Sequence, residues 1–369
     1  MPCLTETITE PLLNSDPAMN FLDYWQREKR PVSALFEVTS RCNLRCRHCY
    51  RRGLFSGEEM SLSEVTDMLD QLAASNVIFI GLTGGEPFLR EDILDIVAAA
   101  KKRRFFVTLL TNGTLIDLSS ARELEKLGIE RVEVSFYGPT TEVHETMTGI
   151  PGSFESFLTG IRNLAKTSLK VVLKSTITTL NVSFLDDMKK FAKELSLPLR
   201  CDPKVLPSLD GGRDPLGVRL DPEEYPDSLW SELWGTANSS AHSVQENKKK
   251  PVQHNPVRPD ENVQICKAGM VSCAVRPSGL VSPCIVLPLT VGDLRQETFE
   301  DIWRGARMDE YRQLTFGTYP QCRTCDLFFQ CFRCPAFALL EEGDILKMPE
   351  FLCRSASCSQ TFLLQNGHS

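Results

Sequence analysis

Cys42-Asn43-Leu44-Arg45-Cys46-Arg47-His48-Cys49 places three cysteines within eight residues, spaced C-x3-C-x2-C, straight after the apolar run Leu35-Phe36-Glu37-Val38-Thr39. A thiolate trio this tight can wrap one metal centre. Structural zinc is closed by four ligands, whereas iron–sulfur clusters are held by cysteine thiolates at such short spacings. Three ligands would leave one iron of a four-iron cluster open, and an open iron can bind substrate. A zinc knuckle with His48 as its fourth ligand, or plain buried thiols, are the other readings of these residues.

Outward from this stretch the chain alternates. Apolar runs predict strands over 35–39, 77–82, 105–110, 131–136, 169–177 and 197–202. Periodic segments predict helices over 61–75, 91–102, 118–127, 153–165 and 182–195. Ser61 reads as an N-cap with Glu64 completing a capping box, and Gly128 closes its helix. Strands buried on both faces are continuously apolar, as Phe79-Ile80-Gly81-Leu82 and Val171-Val172-Leu173 are. Strand–helix units with short, right-handed connections imply an α/β fold with a parallel sheet, best described as an open or partial (β/α)6 barrel. Ligands gather at the carboxyl ends of such strands.

The polar motifs fall at those ends. The cysteine trio follows the first strand. Thr83-Gly84-Gly85-Glu86-Pro87 follows the second, where paired glycines permit close backbone approach and Pro87 fixes a turn. Thr111-Asn112-Gly113 ends the third strand and reads as a turn, and Ser135-Phe136-Tyr137-Gly138 ends the fourth. Lys174, amid apolar neighbours in the fifth strand, either snorkels or pairs with an anion.

Composition narrows the class. Hydrophobic content of 42% and charged content of 24% are ordinary for a globular chain of 369 residues. A net charge of −7 gives no broad surface for nucleic acid. No apolar run is long enough to span a membrane, and no secretory signal is evident. Fourteen cysteines in such a chain point to metal or redox chemistry in a reducing cytoplasm. Residues 1–30 read as an arm. Residues 206–262, rich in Pro and Gly and holding the run Lys248-Lys249-Lys250, read as a linker or surface loop. The basic run is a solvated face or a handle for an acidic partner.

A second cysteine field follows. Cys266, Cys273 and Cys284 come first, with Gly279 five residues before Cys284. Cys322-x2-Cys325-x5-Cys331-x2-Cys334 comes next, and Cys353 and Cys358 close the series. Cys322, Cys325, Cys331 and Cys334 alone could form a zinc ribbon-like site.

In combination, the trio and the Gly-Gly-Glu-Pro turn one βα unit later resemble the radical S-adenosylmethionine (SAM) enzymes, and the second field resembles their SPASM extension. The family pattern ends its dense run with x3, where this chain has x2. The resemblance covers about 33–205 and 263–358. It implies a radical SAM barrel over 31–205, a SPASM domain over 263–358 and a tail over 359–369. It further implies three [4Fe–4S] clusters. The SAM-binding one would sit on Cys42, Cys46 and Cys49. One auxiliary cluster would take Cys266, Cys273, Cys284 and Cys334, and the other Cys322, Cys325, Cys331 and Cys353, with Cys358 able to replace Cys353. Cofactor contacts would come from His48, Gly84, Gly85, Glu86, Pro87 and Ser135, with Lys174 as a partner for the SAM carboxylate.

The implied chemistry is reductive cleavage of SAM to methionine and a 5′-deoxyadenosyl radical, followed by hydrogen abstraction from a substrate. A flavodoxin- or ferredoxin-type protein would donate the electron. The leading implied substrate is a ribosomally made peptide undergoing post-translational modification, presented by a separate small peptide-recognition protein. A tetrapyrrole or haem precursor modified on its side chains is the alternative. Sulfatase maturation loses ground, because that group places an Asp directly after the cysteine matched here by Cys284, and this chain has Ile285. A non-catalytic zinc-binding scaffold is the alternative of another class.

Overall fold

The structure, a computed structural model, describes residues 24–51, 57–239 and 261–366. Six parallel strands lie side by side in chain order: β1 (Ser33–Glu37), β2 (Phe79–Thr83), β3 (Phe106–Thr111), β4 (Arg131–Ser135), β5 (Val171–Thr176) and β6 (Leu199–Asp202). The helices between them are α1 (Leu62–Ala74), α2 (Ile93–Lys102), α3 (Leu118–Leu127), α4 (Thr141–Thr148), α5 (Ser153–Leu164) and α6 (Leu185–Glu194). Ser61 accepts from Glu64 N while the Glu64 carboxylate accepts from Ser61 N, the capping box read from the sequence. Gly128 ends α3 at φ 67°, a left-handed cap. The extra element is α4, only eight residues long, capped by Thr140 and ended by Gly149. So short a helix leaves little periodicity to detect.

Side chains alternate across each strand. Ile80, Leu82, Val107, Leu109, Val132, Val134 and Leu173 turn outward and are buried against Leu69 and Leu72 of α1, Ile96 of α2, Leu124 of α3, Phe157 of α5 and Met188 of α6. The opposite face of the same strands forms the concave interior. There Leu35, Gly81, Thr108 and Arg131 share one level, and Ser135, Lys174 and Arg200 another.

The sheet does not stop at the barrel. β7 (Ser272–Val275) pairs parallel to β1, and β8 (Leu280–Ser282) and β9 (Gly292–Asp293) follow antiparallel, giving nine strands in the order β6-β5-β4-β3-β2-β1-β7-β8-β9. The cysteine-rich region is therefore continuous with the barrel through its first edge strand. It continues as α8 (Phe299–Arg304), α9 (Ala306–Arg312), α10 (Pro320–Arg323), α11 (Pro335–Glu342) and α12 (Glu350–Gln365), after α7 (Asp227–Ser239).

Two boundary expectations change. The first part of the expected linker is packed, with Leu206, Leu209, Val218, Leu220, Tyr225, Leu229 and Trp230 buried. Its prolines open short 3-10 turns and precede α7. Residues 359–365 of the expected tail are the second half of α12, whose Phe362 stacks on Trp230 at 6.1 Å. Lys248-Lys249-Lys250 lies outside the described residues, as does most of the arm 1–30. Among the described residues, no helix is long and apolar enough to cross a membrane.

Candidate metal centre and cofactor site

The cysteine loop leaves β1 at the carboxyl end of the sheet and is fastened on two sides. Gly85 N donates to Thr39 O at 3.0 Å and Glu86 N to Arg41 O at 2.8 Å. Arg45 N and Arg47 N donate to Thr148 O and Met147 O of α4. The paired glycines are needed for the first of these contacts. A Cβ on Gly84 would lie 2.5 Å from Thr39 O, and one on Gly85 would lie 2.0 Å from Arg41 O and 2.9 Å from Cys42 Cβ. The turn after β2 thus presses directly on the backbone that carries Cys42.

Glu86 is fully buried and braces three strand ends. Its carboxylate accepts from Thr111 Oγ1 and Asn112 N, each at 2.7 Å, and from Phe88 N at 3.1 Å. Asn112 Nδ2 then donates to Asn43 Oδ1 inside the cysteine loop. Burial holds the Glu86 carboxyl above its ordinary value. The Gly-Gly-Glu-Pro turn therefore aligns the loop, with Glu86 turned into the brace.

Tyr137, two residues past β4, forms one wall of the loop. Its phenol is held well above its ordinary pKa, first by burial and then by the nearby thiols of Cys46, Cys49 and Cys42, while the Ser135 hydroxyl hydrogen-bonds to it. His48 meets the Tyr137 ring edge-on, with centroids 4.8 Å apart. Burial lowers the His48 pKa to about 4, and its Nδ1 has no hydrogen-bond partner. The Cys42 thiol is raised by burial and accepts a hydrogen bond from Leu44 N. Beneath the loop, the buried Glu37 carboxylate is bridged by Arg51 at 2.7 Å and by Arg276, from just past β7, at 2.9 Å. A cavity of about 120 Å³ opens beside Arg276, reaching Ser40 on one side and Leu287 to Thr290 on the other. Tyr137 and the Glu37–Arg276 pair escaped sequence reading. A glutamate inside the run Leu35–Val38 was the available signal for the second.

The second field sorts into two groups. Cys266, Cys284 and Cys334 pack against the smaller core that contains Tyr311 and Phe337. Burial pushes the Cys284 thiol up to about 11, with Cys266 and Cys334 adding to it, and the same three thiols raise Tyr311 beyond the effect of burial. Cys273 is not with them. It lies on β7 opposite Ala34, points into the main core and is 3% exposed. Burial alone pushes its thiol up to about 12. Strand alternation explains the placement: Cys273 shares the outward face of Ala34 and Val275.

The other group is Cys322, Cys325, Cys331 and Cys353. Cys331 is pushed up to about 11, chiefly by burial, with Arg333 opposing the rise and the thiols of Cys353, Cys322 and Cys325 contributing to it. Cys358 instead faces the main core, near Glu223 and Asp221. Arg333 stacks on Tyr319, with 4.7 Å between its guanidinium carbon and the ring centroid, and donates to both Cys322 Sγ and Met348 Sδ.

Among the described residues no disulfide joins two cysteines. Ten of the described cysteines fall into sets of three, three and four, the soft donor set that suits iron–sulfur clusters, while Cys201, Cys273 and Cys358 lie against the main core. Among the described residues, no three Cys, His, Asp or Glu side chains are arranged around a single metal ion.

The Radical SAM superfamily model matches residues 36–195, and the SPASM iron–sulfur cluster-binding domain model matches 266–326. An AdoMet-dependent heme synthase of Methanosarcina barkeri is 28% identical over 86% of this chain and 95% of its own length. A PqqA peptide cyclase of Granulibacter bethesdensis is 27% identical over 85% of this chain and 86% of its own length. The structure of anSMEcpe with bound AdoMet superposes with a TM-score of 0.71 at 19% identity, covering 91% of this chain and 98% of that one, which shows the same fold. The family's cofactors, [4Fe–4S] clusters and SAM, match the thiol sets described above. With the barrel, the fastened trio and both matches in agreement, this chain is a radical SAM enzyme carrying a C-terminal SPASM domain.

Proposed function

We propose that the chain uses SAM to abstract hydrogen from a tetrapyrrole of the haem-precursor class held in the barrel interior. The near full-length match to a heme synthase, 95% of that protein, carries the substrate class. When bound, the SAM-binding cluster supplies the electron that generates the 5′-deoxyadenosyl radical. The chain's residues do the rest. Cys42, Cys46 and Cys49 hold that cluster, and the Gly84–Pro87 turn sets the loop's height. His48 and Ser135 border the cofactor, with the neutral His48 offering its unpaired Nδ1. Lys174 lies level with Ser135, its ammonium paired with the Glu133 carboxylate at 3.2 Å. Tyr137 closes the wall and helps exclude water from the radical. Cys266, Cys284 and Cys334, and separately Cys322, Cys325, Cys331 and Cys353, hold the auxiliary clusters.

A flavodoxin- or ferredoxin-type donor supplies the electron, and a cysteine-rich chain with no disulfide among the described residues fits the reducing cytoplasm. Peptide maturation, with a separate recognition protein presenting the substrate, is the second reading. The peptide cyclase match over 86% of that protein favours it.

The test is anaerobic. Reconstituted protein receives SAM, a strong reductant and iron coproporphyrin III, and both 5′-deoxyadenosine and the tetrapyrrole are followed by mass spectrometry. The proposal expects faster 5′-deoxyadenosine formation and a tetrapyrrole of changed mass. No change in either, on protein that cleaves SAM, overturns the haem-precursor reading.

A further inference from the structure

The inner face of β4, β5 and β6 carries charges that cluster binding does not use. Val132, Val134 and Leu173 face the helices, so Arg131, Glu133, Lys174 and Arg200 face the interior. The Glu133 side chain is 6% exposed and is met by three cations. Arg131 Nε lies 3.1 Å from Oε1, Lys174 Nζ 3.2 Å from Oε2, and Arg200 Nη1 3.9 Å from Oε1. The cations remain open to the interior, with side chains 42%, 47% and 55% exposed. One carboxylate thus organises three cations and leaves positive charge uncompensated, in a chain whose net charge is −7.

β1 to β3 contribute an apolar patch to the interior, beside Thr108. Leu35 and Leu110 converge over Gly81, where a Cβ would lie 2.4 Å and 3.5 Å from their methyl carbons. Phe79 and Phe106 pair below them at 5.4 Å and are 47% and 49% exposed. From Arg131 to Ser135 the strand rises roughly 13 Å. The interior therefore offers an apolar patch as well as a cationic wall, with cations spread from the level of Ser135 to well below it.

We propose that Arg131 and Arg200, fanned about Glu133 with Lys174, clamp carboxylates of the substrate and hold its apolar body against Leu35, Gly81 and Leu110. The matching ligand is a flat, apolar molecule bearing several carboxylates. This rests on the haem-precursor reading and names the groups that recognise it. The clamp orients the substrate from the level of Ser135 downward and takes no part in bond breaking.

Coproporphyrin III, which bears four propionates, and its tetramethyl ester are the probes, titrated by absorbance into the reconstituted protein. A lost charge-assisted hydrogen bond changes affinity about ten- to hundredfold. Arg131→Gln and Arg200→Gln, checked for wild-type iron content, are each expected to weaken coproporphyrin III in that range. The ester is expected to bind the wild type at least tenfold more weakly and to be indifferent to both substitutions. Added salt is expected to weaken the acid and not the ester. Coproporphyrin III binding unchanged in both variants, or ester binding as tight as the acid, overturns the clamp and leaves the haem-precursor reading standing. Failure of coproporphyrin III to bind, with an oligoglutamate peptide bound in an Arg131- and Arg200-dependent way, overturns that reading and keeps the clamp.

Discussion

Replacing Cys273 with alanine tests the division of the SPASM thiols. In the structure Cys273 is a core residue of β7, opposite Ala34 and 3% exposed, while Cys266, Cys284 and Cys334 share the smaller core under Tyr311. A buried free cysteine behaves as a small hydrophobe. Removing its sulfur deletes a group of about methylene size and leaves a small cavity, a cost of about 1–2 kcal/mol. In a chain this long that is a fall in Tm of about 5 °C or less. Iron and sulfide per chain should stay at the wild-type level. Cys266→Ala or Cys284→Ala should instead lose about four irons, one cluster's worth. The assay is iron and sulfide analysis beside thermal unfolding, all under anaerobic conditions. If Cys273→Ala loses as much iron as Cys266→Ala, the thiol turns inward in the loaded protein and the argument from strand alternation is wrong.

Three other outcomes follow from separate parts of the molecule. Arg333→Gln removes a cation and a donor from Cys322, so the auxiliary group there should titrate at a more negative potential in an EPR-monitored redox titration, and an unchanged potential would refute a role for Arg333. Glu37→Gln leaves Arg51 and Arg276 buried without their carboxylate, and unfolding should show a loss of about 3–5 kcal/mol. His144 is 1% exposed among Phe136, Phe154 and Phe157, and burial lowers its pKa to about 4. Between pH 4 and the unfolded value near 6.5 the unfolded chain binds more protons, so stability rises with pH through that window and is fully present above it. The His144 share is about 3 kcal/mol at most, and His144→Phe should remove that share in denaturant titrations at successive pH values, leaving the share of His48, which burial lowers to the same range.

The barrel was legible because its strands are buried on one face by helices and bordered by caps with clear signatures. Ser61–Glu64 and Gly128 mark helix ends where they were expected. The trio was legible because its ligands are local. The SPASM ligands were less so, since spacing alone cannot tell which face of β7 Cys273 occupies. That depends on pairing with β1, a contact between residues far apart in the chain. The same limit hid the Glu37–Arg276 bridge and the Arg131–Glu133–Arg200 cluster, which exist only once the strands are in register. The roles of Gly84 and Gly85 were read as approach to a ligand, and the structure adds their close packing on the cysteine loop. Residues 206–235 looked like a linker because proline-rich 3-10 turns carry no helical or strand period.

The central claim is that the Cys42, Cys46 and Cys49 loop holds the SAM-cleaving centre. The most direct measurement is 5′-deoxyadenosine formed from SAM by anaerobically reconstituted protein and by its Cys42→Ala/Cys46→Ala/Cys49→Ala variant, with iron counted in both. The account predicts cleavage by the wild type at about twelve irons per chain, and no cleavage by a variant that retains about eight. Cleavage that survives in the variant, or a fully loaded wild type that leaves SAM intact, would contradict it.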